Sequence, residues 1–341
     1  MKVLFIGGTG NISAAASRLA VERGMDLHLL NRGTRRVAIP GARTITADIG
    51  QETAAFRALG RHTWDAVVNW IAFTPADIER DLRLFQKKTR QYVFISSASV
   101  YQKPLAHPVV TESTPLANPY WEYARRKIAA EERLCRACRE DGFAGVIVRP
   151  SLTYDTVIPL ALGSWDDYTM MDRMKRGKPV VVHGDGSSLW TITHADDFAK
   201  GLLGLLGNDS VRGHAFHITS DELLTWDQIW QQTAAAAGVE ARIVHVPTDF
   251  IVQVVPERRG SLLGDKAVSV IFDNSKIKRF VPGYMATIPY REGIRRTVAW
   301  FEARKSRMRI VDAHNAIHDR ILTAYRFTPH TAGSRCGRRR R

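Results

Sequence analysis

Residues 2–13 read Lys2-Val3-Leu4-Phe5-Ile6-Gly7-Gly8-Thr9-Gly10-Asn11-Ile12-Ser13. A short apolar run, read as a buried strand, passes straight into glycines and then into helix-spaced residues 12–23, closed by Gly24. A glycine-rich string alone says little; between a first strand and a first helix it has the context of a dinucleotide loop. Gly7 permits the tight turn and Gly10 lets backbone approach a pyrophosphate. The helix start supplies N–H groups and the positive end of its dipole. Gly7, Gly8, Thr9, Gly10, Asn11 and Ile12 are therefore the candidate pyrophosphate loop. Ser13 stands where a third glycine is common, and so small a side chain still lets helix and strand pack.

Outward from this loop, strand and helix alternate. Residues 26–30, 43–46, 66–68, 92–95 and 145–148 read as further strands, with helices near 52–59, 75–88 and 120–139. That order implies an α/β fold: a Rossmann-type, doubly wound parallel sheet with ligands at the carboxyl ends of its strands. After Pro150 the pattern turns irregular. Short strands at 180–183, 215–218 and 242–246 mix with helices at 196–206, 226–236 and 291–303, and no linker separates the halves. The expected organisation is a dinucleotide-binding domain over 1–155 and a smaller C-terminal substrate lobe over 156–310, with elements returning to the first sheet.

The second strand ends Leu29-Leu30-Asn31-Arg32-Gly33. An acidic residue there would bind the adenosine ribose hydroxyls and repel a 2′-phosphate. Neutral Asn31 followed by Arg32, Arg35 and Arg36 suits a phosphate instead. The expected cofactor is NADP or NAD, with NADP favoured. Asp48 and Ile49, after the third strand, are placed to meet the adenine, and Asn69, ending the fourth, to lie near the cofactor ribose.

The fifth strand runs into Ser96-Ser97-Ala98-Ser99-Val100-Tyr101, and Tyr123 and Lys127 follow on a helix. A four-residue step puts both on one face. An ammonium beside a phenol is expected to lower its pKa by favouring phenolate. Tyr123 would then exchange a hydroxyl proton with a substrate while hydride passes to or from a nicotinamide. Lys127 would also hold the nicotinamide ribose, and a strand-end serine would hydrogen-bond the substrate oxygen.

Taken together, these segments resemble the extended short-chain dehydrogenase/reductases, in the NAD-dependent epimerase/dehydratase family. The resemblance spans roughly residues 1–302. It rests on the Gly7 loop, Ser96 to Tyr101, the Tyr123/Lys127 pair, Val148-Arg149-Pro150, His183-Gly184-Asp185-Gly186, His194 to Asp197 and Asp273-Asn274-Ser275-Lys276. It implies Ser97, Tyr123 and Lys127 as catalytic residues, with Ser96 and Ser99 as second choices, and adds Lys127 and Pro150 to the cofactor contacts. Three departures bear on the substrate. Ala98 and Ser99 replace the Asp-Glu pair of many 4,6-dehydratases. Trp190 and Leu262-Leu263 occupy positions where diphosphate-gripping arginines are usual. A carbohydrate-like alcohol without a nucleotide diphosphate is therefore expected, turned over by an oxidoreductase or an epimerase. Trp165, Trp190 and Tyr154 are either stacking surface for a sugar ring or lobe core. The alternative reading is a Rossmann-fold RNA-binding or nucleotide-sensing protein without turnover, in the manner of chloroplast stem-loop RNA-binding relatives.

Bulk properties agree. The chain has 341 residues, 45% of them hydrophobic, and three cysteines. Its apolar runs are too short for a membrane span or a signal peptide, so a cytoplasmic enzyme is expected. Cys135 and Cys138 fall within a helix, where two small helix residues are the simplest reading, and no metal site is expected. The net charge of +15 is concentrated at the end: from Tyr290 to Arg341, 14 Lys and Arg face 4 Asp and Glu. Residues 327–341, finishing in four arginines, read as a disordered basic tail. No dedicated nucleic-acid site and no membrane contact are expected; the partner is a small-molecule substrate, with a homodimer left open.

Overall fold

The computed structural model describes residues 1–34, 37–163 and 165–327. Arg35, Arg36 and the tail beyond residue 327 lie outside them. Seven strands form one parallel sheet: β1 (Lys2–Ile6), β2 (Asp26–Asn31), β3 (Arg43–Thr46), β4 (Ala66–Asn69), β5 (Tyr92–Ile95), β6 (Gly145–Pro150) and β7 (Ala215–Ile218). Their order is β7-β6-β5-β4-β1-β2-β3. The direction of winding reverses between β1 and β4, which opens the crevice where such sheets take ligands.

Strand alternation explains the layers. Val3 and Phe5 of β1 pack with Phe198 and Leu202 of the Ala195–Leu205 helix and with α1 (Ser13–Glu22). Leu4 and Ile6 face the other way, onto Ala55 of α2 (Glu52–Leu59), Ile78 of α3 (Pro75–Phe85) and Leu134 of α4 (Glu122–Glu140). A sheet buried on both faces needs apolar residues at successive positions, which is why these strands read as runs rather than alternations. At the start of α3, Thr74 and Asp77 form a reciprocal capping box with Pro75 at the first turn. That arrangement sets where the β4–α3 loop ends.

β7 returns from the second half of the chain to extend the sheet, pairing Ala215–Ile218 with Ile147–Pro150. The remaining C-terminal elements enclose a separate core in which Trp190, Trp226 and Trp230 are almost fully buried. Trp190 stacks on Trp226 with ring centroids 5.8 Å apart. Trp190 and Tyr154 are thus lobe core, closed to a sugar ring, while Trp165 is partly exposed. The lobe also extends past 310. The helix Asp312–Phe327 buries Ile321 and Leu322 against it, and Asp319 pairs with buried Arg173 at 2.7 Å. Its apolar residues Ile317, Ile321, Leu322 and Tyr325 keep helical spacing.

Among the described residues no helix is long and apolar enough to cross a membrane. Cys135 and Cys138 are free thiols on α4, pushed up in pKa by burial.

Candidate active site

The glycine loop leaves β1 with Gly7 at φ +88°, its N–H bonded to the Leu30 carbonyl of β2 (3.0 Å). A Cβ on Gly7 would sit 2.7 Å from the Ile71 side chain, and one on Gly8 would sit 2.6 Å from Leu29. Bare backbone is therefore required where the loop crosses the strand ends. Ser13 does more than stay small. Its Oγ donates to the Gly7 carbonyl (2.9 Å) and accepts from the Gly10 N–H (2.7 Å), holding the loop in its turn. Ser17 Oγ donates to the Gly8 carbonyl (2.7 Å). Asn11 reaches the lobe: its amide donates to the Thr153 carbonyl (3.2 Å) and accepts from Asp155 N–H (3.0 Å). This is a cradle of backbone at the first turn of α1, and it fits a dinucleotide pyrophosphate.

Around it, Asn31 folds back to accept the Gly33 N–H (2.9 Å), leaving Arg32 exposed at the end of β2. Asp48 closes a similar turn onto Gly50 N–H (2.9 Å), with Ile49 buried beneath. Asn69 is fully buried, and both ends of its amide are engaged, with Asp81 and with the Ile71 N–H (2.8 Å). Any part it takes in ribose contact falls to its backbone. Pro150 closes β6, also buried.

From the loop, contacts run without a break to the second half of the site. Ile71, pressed on Gly7, precedes Ala72, whose carbonyl accepts from Lys127 Nζ at 2.7 Å. The same ammonium donates to the Ile95 carbonyl at the end of β5 (2.8 Å) and lies 4.4 Å from the Phe73 ring centroid. Lys127 is 2% exposed. One helical turn earlier, the Tyr123 ring centroid lies 5.9 Å from that ammonium. The nearby Ser97 hydroxyl draws its pKa down, and its ring packs against Trp121 (4.9 Å) and Phe73 (6.2 Å). Ser97, Tyr123 and Lys127 therefore meet at the carboxyl end of β5, beside the glycine loop.

The neighbouring serines separate by partner. Ser96 Oγ donates to Glu131 (2.5 Å), which forms a buried ion pair with Arg149 (2.6 Å). Ser99 Oγ pairs with Ser97 Oγ at 2.9 Å. Ser97 is the serine of this stretch that acts on the Tyr123 phenol. Sequence reasoning missed what holds this end of α4. Asn118, 3% exposed, accepts from the Tyr120 and Trp121 N–H groups (3.2 and 3.1 Å). It donates to the Ser99 and Gly264 carbonyls (2.9 and 2.7 Å). An Asn just ahead of a helix start is the available signal.

The electrostatics correct one expectation. Tyr123 is pushed up in pKa, chiefly by burial, with the Ser97 hydroxyl offsetting part of it. Lys127 is pulled down to about 7 by burial, against the pull of Glu131 and Asp77. Desolvation disfavours both charges and outweighs the lysine's help to a phenolate. A pH test follows from the sign. The folded chain releases the Lys127 proton near pH 7 and the unfolded chain near its ordinary 10.5. Between those values the unfolded state holds more protons, so stability rises with pH. The Tm of the ligand-free protein should therefore climb more steeply from about pH 7 to about pH 9 than that of Lys127→Met. Parallel profiles would show that the ammonium is solvated.

Among the described residues there is no cluster of three or more His, Cys, Asp or Glu able to hold a metal ion. His194 caps the helix Ala195–Leu205, accepting the Asp196 N–H on Nδ1 (3.2 Å).

Comparison with known proteins agrees with this fold. The family described as NAD dependent epimerase/dehydratase is matched over residues 3–219. The chain is 26% identical over 285 residues to 2'-dehydrokanamycin reductase of Streptomyces kanamyceticus, covering 83% of this chain and 80% of the relative. It is 26% identical over 268 residues to the chloroplast stem-loop binding protein of 41 kDa b of Arabidopsis thaliana, covering 73% and 67%. A similar solved structure is UDP-glucuronic acid 4-epimerase from Bacillus cereus in complex with NAD, with a TM-score of 0.69 at 17% identity, covering 89% of this chain and 99% of that one.

Proposed function

The chain belongs to the NAD dependent epimerase/dehydratase family, and from that premise we propose that it is an NAD(P)-dependent oxidoreductase or epimerase acting on a carbohydrate-like alcohol or its ketone, through Ser97, Tyr123 and Lys127. What supports this is the convergence of those three side chains at the end of β5, next to the bare-backbone loop. Gly7, Gly8, Thr9, Gly10, Asn11 and Ile12 would hold the dinucleotide's pyrophosphate, Asn31, Arg32, Asp48 and Ile49 its adenosine half, and Asn69, Lys127 and Pro150 its nicotinamide half. When bound, the cofactor supplies hydride donation and acceptance.

The chain's own residues do the rest. Tyr123 Oη exchanges a proton with the substrate oxygen, and Ser97 Oγ orients that oxygen by a hydrogen bond. Burial keeps the phenol protonated in the ligand-free protein. That is the form needed to give a proton to a carbonyl oxygen in the reductive direction. A panel of sugar-like ketones and alcohols, followed by reduced-dinucleotide absorbance, tests the reading. Intact dinucleotide binding with no turnover of any member would favour a binding protein instead.

Of NADP and NAD, NADP is the favoured cofactor in this reading. Asn31 removes the acidic repulsion, and exposed Arg32 has no acceptor among the described residues. A charge-assisted pair to a 2′-phosphate contributes about 1.5–3 kcal/mol, roughly tenfold to a hundredfold in affinity. Calorimetric titration should show NADP binding tighter than NAD by that factor, with the preference lost in Arg32→Ala and reduced by salt. Equal affinities in the unaltered protein would remove the assignment.

A further inference from the structure

Residues 71–73, in the loop between β4 and α3, alternate sharply in exposure. Ala72 is fully buried and its carbonyl accepts from Lys127 Nζ (2.7 Å), whereas Ile71 and Phe73 on either side are 42% and 43% exposed. A lone exposed apolar side chain is ordinary; two on one loop, beside a candidate active site, call for an occupant. Ile71 lies on the Gly7 turn and so belongs to the dinucleotide end. Phe73 lies at the other end. Its ring centroid is 6.2 Å from that of Tyr123 and 4.4 Å from Lys127 Nζ.

The ring is held in that position. The Phe73 N–H donates to Asp77 Oδ2 (2.9 Å), the same carboxylate that closes the capping box of α3, and the carbonyl before it is tied to Lys127. Tyr123 also packs on Trp121, with centroids 4.9 Å apart. Trp121 is fixed in turn. Asn118 accepts its backbone N–H (3.1 Å), and Gly260 and Gly264 are pressed on its side chain, where a Cβ would come within 2.4 and 2.9 Å. Phe73, Tyr123 and Trp121 thus form one aromatic cluster centred on the tyrosine, and none of the three is fully buried. Trp190 and Tyr154, closed in the lobe core, offer no such surface.

We propose that Phe73 is a specificity-determining residue: with the rings of Tyr123 and Trp121 it forms the surface on which a cyclic substrate lays its C–H face. This rests on reading Tyr123 as the reacting end of the site. The substrate class is then a pyranose or cyclic polyol with axial C–H bonds on one face, and open-chain polyols are disfavoured. Those hydrogens carry slight positive charge and the aromatic face slight negative charge, so the contact adds electrostatics to apolar burial. Because Phe73 adjoins Tyr123, a ring lying on it turns an oxygen at its edge toward the phenol. The backbone of Phe73 is already pinned, so little ordering is lost on binding.

The test uses the dinucleotide-loaded protein and three neutral probes: methyl β-D-glucopyranoside and myo-inositol as rings, and mannitol as an open chain. Saturation-transfer NMR reads whether irradiated aromatic protons pass magnetisation to the C–H protons of a probe, and titration gives its affinity. At least one ring should receive saturation well above mannitol. In Phe73→Leu, which keeps an apolar cover over Lys127, affinity for that ring should fall about three- to tenfold with dinucleotide affinity unchanged. Phe73→Tyr should retain the ring, as should Tyr123→Phe, which keeps its aromatic face. Trp165→Leu, which removes the partly exposed lobe tryptophan, should leave ring affinity as it was. Transfer no greater to the rings than to mannitol, unchanged ring affinity in Phe73→Leu, or a loss seen in Trp165→Leu instead overturns the proposal. So does an equal fall in dinucleotide affinity in Phe73→Leu, which would make Phe73 a cofactor contact. Full turnover in Tyr123→Phe, with ring binding lost in Phe73→Leu, would instead sink the catalytic reading and leave the aromatic surface standing.

Discussion

Tyr123→Phe should lower kcat by about 10²–10⁴-fold, the usual worth of a positioned acid–base group, and leave dinucleotide affinity within a few-fold. The substitution removes only the hydroxyl. The ring keeps its packing on Trp121 and Phe73, at 4.9 and 6.2 Å, so the helix start that carries it stays in place. Ser97 retains Ser99 as a partner at 2.9 Å. Lys127→Ala should differ in kind. Its ammonium joins the β4–α3 loop to the end of β5 through the Ala72 and Ile95 carbonyls. Losing it should harm both dinucleotide binding and turnover. Steady-state kinetics on a substrate that the panel identifies, with parallel dinucleotide titrations, separates the two variants. Near-normal turnover in Tyr123→Phe would mean that another group moves the proton.

Glu131→Gln should cost about 3–5 kcal/mol of stability, because it breaks a buried ion pair and leaves one charge behind. Glu131 and Arg149 have side chains 2% and 5% exposed, 2.6 Å apart. Arg149 would be left with the Glu112 carbonyl at 3.3 Å and the face of the Tyr101 ring. The exposed pair Arg126–Glu122, with side chains 60% and 65% exposed, is the control. Glu122→Gln there should change stability by no more than about 1 kcal/mol. Urea unfolding of both variants reads the contrast directly. A loss below about 1 kcal/mol in Glu131→Gln would show that the amide, still able to accept from Ser96, and Tyr101 together satisfy Arg149.

The part of the site that depends on covalent order is legible in the chain alone. Strand, glycine loop and helix are adjacent in it, and so are a tyrosine and a lysine one helical turn apart. Three facts are not legible there, each set by groups distant in sequence. Tyr123 has a raised pKa rather than a lowered one because burial in the folded site outweighs the nearby ammonium, and burial is not a property of a four-residue spacing. Asn69 is turned inward because Asp81, twelve residues on, meets its amide. Trp190 and Tyr154 are core rather than stacking surface because the lobe closes around them with Trp226 and Tyr290.

By itself the sequence determined the α/β class, the places of the central strands and the loop that suits a dinucleotide, since local periodicity and turn chemistry act over a few residues. Tertiary structure alone decided that Ser96 is tied up by Glu131 while Ser97 is left to act on the tyrosine, and that the helix Asp312–Phe327 docks on the lobe. Each of these depends on what arrives from elsewhere in the chain: Glu131 for Ser96, and Arg173 and the lobe core for the last helix.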